Sequence, residues 1–129
     1  MFKIGLIIGS LYCFLTVVLG AFGAHALKDS LDEYEKSIFD KAVLYQMFHG
    51  VSILIVSIIN NFFNEIDFSL VVWFFTFGIL IFSGSLYILA ITKAKWLGMI
   101  TPIGGFLFIF GWLTLIIKLL KVWNLSIKE

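Results

Sequence analysis

Of the 129 residues, 61% are hydrophobic and only 13% charged, where soluble domains run near half apolar and a quarter charged; the balance excludes an ordinary water-soluble globule. A formal charge of +1 without a single arginine excludes the basic stripe and forked guanidinium contacts that nucleic-acid binding requires, so no nucleic-acid partner is expected. Cys13 stands alone and supports neither a disulfide nor a thiolate cluster.

Charges divide the chain into four uncharged windows, residues 4–27, 42–64, 68–92 and 96–117. Each is long enough for a membrane-crossing helix, which needs about 20 apolar residues to span roughly 30 Å of hydrocarbon. Inside lipid every backbone polar group must be satisfied within the segment, which leaves helix or closed barrel, and these windows are too long and too evenly apolar for barrel strands. The expected fold is therefore all-α: an integral membrane four-helix bundle in antiparallel up-down topology. The whole chain, residues 1–129, forms one transmembrane domain with spans near 4–27, 42–63, 68–92 and 97–120.

The first window imitates a signal peptide, with Lys3 before it and Ala24-His25-Ala26 near its end. Its uncharged length exceeds a usual signal core of about 7–15 residues, so it reads as a retained span. Gly5, Gly9, Cys13, Thr16, Gly20 and Ala24 share one face at small-xxx-small spacing. Such faces let membrane helices approach closely, and a second helix of the same chain or a second copy is expected there.

Ser30-Leu31-Asp32-Glu33 has the S-x-x-E form of a capping box, which predicts a helix starting near Leu31 with Ser30 as its cap. From there Leu31, Tyr34, Ile38, Ala42, Tyr45 and His49 follow helical spacing and predict one stripe that runs from the water-exposed turns into the membrane, turned toward protein or the membrane interface. Helix 2 is thus either extended beyond the bilayer or preceded by a short amphipathic helix over about 31–41. The acids at Asp29, Asp32, Glu33 and Glu35 read as a solvated helix start. Thr101-Pro102 predicts a threonine cap and a proline at the first helical position of helix 4. Gly104, Gly105 and Gly111 then supply that helix's close-contact face. Lysines are nearly balanced between the two sides, with Lys3, Lys118, Lys121 and Lys128 on the terminal side; cytoplasmic termini in a bacterial inner membrane are the expectation.

The ordered motifs Gly20-Ala21-Phe22-Gly23-Ala24-His25-Ala26-Leu27, Tyr45-Gln46-Met47-Phe48-His49, Phe82-Ser83-Gly84-Ser85-Leu86-Tyr87 and Thr101-Pro102-Ile103-Gly104-Gly105 resemble those of the YgdD/YwdK-like family of small bacterial membrane proteins. The resemblance runs through essentially the whole chain. It implies a polytopic membrane protein and supplies no reaction.

Polar side chains inside hydrocarbon need partners, so they mark candidate sites. His25, Tyr45, Gln46, His49, Ser83, Ser85, Tyr87 and Thr101 all fall in the membrane half nearest the long link, and a shared internal cavity or network is expected there. The plain alternative is a set of bonds that only locks the helices. Two histidines at different levels do not make a haem site, and Cys13 lies too far from them for zinc. No carboxylate lies within a span to orient a histidine for serine catalysis. Neither enzyme chemistry, cofactor nor metal is expected. The expected function is a non-enzymatic membrane protein that binds or stabilises a partner, either the surrounding lipid, another membrane protein or a second copy. The alternative is an oligomeric transporter or channel for a small neutral or weakly basic solute.

Overall fold

Each uncharged window becomes one long helix in the computed structural model, which describes residues 1–127. Lys128, counted above for orientation, lies outside them. Helix α1 spans Phe2–His25, α2 Glu33–Phe62, α3 Ser69–Thr92 and α4 Thr101–Ser126; a 3₁₀ turn at Lys95–Met99 leads into α4. All four are long and apolar enough to cross a membrane. The protein is an all-helical membrane bundle.

Each helix packs along its sequence neighbour, α1 on α2, α2 on α3 and α3 on α4. The central pair α2 and α3 is accordingly far more buried than α1 and α4. Two apolar clusters fill the interior. Ile53, Val56, Val71, Val72, Phe75 and Ile79 form the larger, and Phe39, Ala42, Leu86, Leu89 and Ala90 the core of the second, nearer the long link.

Helix α2 is a continuous rod of 30 residues without a break at Lys41. Its start differs from the sequence expectation. Asp32, not Ser30, is the cap, and the box closes with Glu35: Glu35 N donates to Asp32 Oδ1 at 2.8 Å and Asp32 N to Glu35 Oε2 at 2.9 Å. Two overlapping boxes are written in this segment. The later one leaves Leu31 free to bury in the second cluster before the helix begins and sets Glu35 against Lys93, 3.0 Å away. Of the stripe, Leu31, Ile38, Ala42 and His49 are buried, while Tyr34 and Tyr45 are exposed.

Thr101 does not cap α4. It is the first helical residue, Ile100 holds the cap position and Pro102 follows one place later than expected. The Thr101 hydroxyl turns back to Leu97 O at 3.2 Å and meets Ser85 Oγ at 2.7 Å. A proline anywhere in the first turn forfeits no intrahelical bond, which explains the tolerance.

The small-residue faces are used within the chain. A Cβ on Gly9 would lie 2.8 Å from Leu54 Cγ, and one on Gly104 would lie 2.7 Å from Phe82 Cα. Gly5 and Gly111 are equally closed, by Ser57 and Phe75. The same does not hold throughout. Gly20 meets Val43 at ordinary contact distance, Gly105 touches Phe82 only at 3.9 Å, and Ala24 is exposed.

Candidate functional site

Outside the spans, two links tie helix ends. At the long-link end Lys93, which terminates α3 with a left-handed φ of 60°, bonds Glu35, and that bond raises its pKa. At the other end Asp67 accepts from the Ser69 hydroxyl and from Ser69 N, and these bonds, assisted by the charge of Lys118, hold its carboxyl below the ordinary range.

Within the spans the expected polar residues are distributed over separate links. Gln46 is a two-sided bridge: its amide donates to Tyr12 O at 3.1 Å and accepts from the Tyr87 hydroxyl at 3.0 Å, joining α1, α2 and α3. Ser83 donates to Ala42 O at 2.8 Å and pins α3 to α2. Ser85 and Thr101 pair between α3 and α4. His25 is exposed at the end of α1. Of this set, Tyr45 and His49 line a common cavity.

That cavity is a groove of about 540 Å³ between α2 and α4, with Phe82 of α3 at its floor. It exists because α2 and α4 share no extended backbone contact, while Gly105 leaves space where a side chain would stand. Leu44, Tyr45 and Phe48 form one wall and Phe108, Ile109 and Trp112 the other. Leu44, Phe48 and Ile109 are all more than half exposed, so the groove opens sideways, toward the hydrocarbon in a bilayer.

His49 lies at the base, stacked on Phe108 with ring centroids 3.6 Å apart and nearly parallel planes. Its protonation is dictated by its partners. Nδ1 lies 2.8 Å from Tyr45 O, a group that only accepts, and Trp112 Nε1, which only donates, points to Nε2 at 3.1 Å. The ring is therefore neutral with its proton on Nδ1. Both nitrogens are occupied, so His49 offers no lone pair to a metal and no free position to a relay. The groove is thus an aromatic, apolar surface with its one ionisable group internally satisfied.

Trp112 and Tyr12 are the partners that the sequence left unassigned. The signal was available in kind: a buried indole N–H or phenol O–H must find an acceptor in lipid. Tyr12 also donates to Thr76 O at 3.0 Å, which carries α1 across to α3.

Comparison with known proteins identifies the family. Residues 19–105 match the family described as "Protein of unknown function (DUF423)". A UPF0382 membrane protein of Staphylococcus epidermidis is 48% identical over 119 residues, covering 92% of this chain and 97% of that protein. A UPF0382 membrane protein of Staphylococcus saprophyticus is 47% identical over 120 residues, covering 93% and 99%. No solved structure matches. The chain belongs to the DUF423 family of small membrane proteins.

Proposed function

We propose that this is a non-enzymatic protein of the bacterial cytoplasmic membrane, with both termini inside, that holds a lipid acyl chain in the groove between α2 and α4. The YgdD/YwdK-like proteins that its motifs resemble fall within the same family on this reading. One observation carries it: the groove combines a lateral opening at hydrocarbon depth with an aromatic lining and a histidine whose bonding capacity is spent on Tyr45 and Trp112. A chain that needs no hydrogen bonds fits such a lining, whereas a polar solute would lose its hydration without replacement. The transport alternative asks His49 to meet a solute, and its two internal bonds oppose that role.

Native mass spectrometry of protein extracted in mild detergent tests the proposal. The expected spectrum shows retained lipid on the wild type and its loss in Gly105→Phe, which fills the groove. Lipid-free wild type, or lipid retained equally by the variant, would overturn it.

A further inference from the structure

The groove does not end at Leu44. This residue also borders a second, polar depression of about 460 Å³ on α2, lined by Glu33, Lys36, Ser37, Asp40 and Lys41. Ser37, Lys41, Leu44 and Phe48 recur at steps of four, three and four, so shelf and groove lie on one helix face. Moving along that face, the surface changes from charged to aromatic at the point where the uncharged window begins.

The charges on the shelf are uncommitted. Among the described residues the ion pair found is Lys93 with Glu35, and neither Lys36, Lys41, Glu33 nor Asp40 takes part in one. The two amines and two carboxylates balance, so the shelf as a whole favours neither an anionic nor a cationic head. Instead it is complementary to a head that carries both signs close together.

We infer that the groove and shelf together form one site for a phospholipid whose head bears an ammonium as well as a phosphate. The inference rests on the acyl-chain reading above and specifies its ligand. The acyl chain lies along Phe48, Phe108 and Trp112. The phosphate is met by the Lys41 ammonium and the Ser37 hydroxyl, and the lipid ammonium by the Asp40 carboxylate. A lysine at this level reaches the phosphate plane by extending its stem along the apolar surface. Each head-group contact is an exposed charge pair, weak alone, but the buried chain fixes the register in which both form together.

Trp112 in the groove wall provides the readout. In a chain carrying Trp73→Phe, Trp96→Phe and Trp123→Phe, the remaining indole is quenched by lipids brominated on the acyl chain. Nanodiscs containing brominated phosphatidylethanolamine, phosphatidylglycerol or diacylglycerol then give the relative association constant of each. The expected result is a phosphatidylethanolamine preference over diacylglycerol of more than about fivefold, the factor for one lysine contact at a membrane surface, because the Asp40 contact adds to it. Lys41→Ala lowers this preference by about fivefold, the lysine's share, and Asp40→Asn lowers phosphatidylethanolamine to the phosphatidylglycerol level. Equal constants for the three lipids, all above the bulk value, overturn the head-group assignment and leave the acyl-chain groove standing. Equal quenching by phosphatidylethanolamine and phosphatidylglycerol overturns it likewise. Constants at the bulk value for every lipid, or an indole that no lipid quenches, overturn both readings.

Discussion

Trp112 donates its indole N–H to Nε2 of His49 across the gap between α2 and α4, at 3.1 Å. These helices share no extended backbone contact, so this bond and the His49–Phe108 stack set the width of the groove. Hydrogen bonds inside membrane proteins average about 0.6 kcal/mol and reach about 1.7 kcal/mol. A double-mutant cycle of His49→Ala and Trp112→Phe, read by reversible unfolding in bicelles, should give coupling in that interval. Coupling indistinguishable from zero would mean that the contact does not hold α4 in place.

The same geometry fixes the His49 tautomer. Nitrogen-15 spectra of the imidazole near neutral pH should show a protonated Nδ1 and a bare Nε2, and Trp112→Phe should shift the Nε2 resonance while Tyr45 O keeps the proton on Nδ1. A protonated Nε2 in the wild type would contradict the assigned bonds, because indole cannot accept a proton there.

Two glycines should behave oppositely. Gly104 abuts the Phe82 backbone, with a Cβ at 2.7 Å from its Cα, and a backbone cannot rotate aside. Gly104→Ala should destabilise by about 1–3 kcal/mol, the usual cost of overpacking. Nothing lies within 4 Å of a Cβ on Gly84, so Gly84→Ala should be neutral or stabilising by up to about 1 kcal/mol through helix propensity. Equal effects in an unfolding assay would show that α3 and α4 are not so closely apposed.

At the start of α2, Asp32→Ala should cost about 1 kcal/mol of local helix stability and Ser30→Ala very little. Amide exchange over the first turn separates the two. Greater loss of protection with Ser30→Ala would restore the earlier start.

Asp67 gives a pH dependence whose sign follows from its lowered pKa in the folded protein, caused first by the Ser69 hydroxyl bond and then by Ser69 N. Protons bind the unfolded chain more readily, so the carboxylate's contribution is complete above the unfolded value and is lost as pH falls through the folded one. Protection of the first turn of α3 should decline on acidification in the wild type and be lower but pH-independent over the same interval in Asp67→Ala. An acid decline unchanged by the substitution would assign it to another group.

The four helices were legible because charge is absent from the apolar length of each, as in α2 from Lys41, two turns in, onward and in α3 up to Lys93, which follows it. Backbone satisfaction in lipid then admits one secondary structure for windows of this length and evenness. The Asp32 start was not legible, since Ser30 and Asp32 head overlapping boxes and the choice depends on Leu31 burial and on Lys93, more than fifty residues away. Sequence placed Tyr45 and His49 in one membrane half but could not say that Ser83 and Ser85 turn to different helices. One-helix periodicity gives a face and not the rotation of its neighbour. For the same reason the pairing of Trp112 with His49 was not legible.

The central claim is that a lipid chain occupies the α2–α4 groove, and solid-state NMR in native-like bilayers addresses it directly. Cross-peaks between lipid acyl protons and the ring protons of Phe48 and Trp112 should persist with slow exchange. Those to Phe14 and Phe110, which are exposed on other surfaces, should show only the fast averaging of bulk lipid. If all four rings report the same fast exchange, no lipid is held in the groove and the account is contradicted.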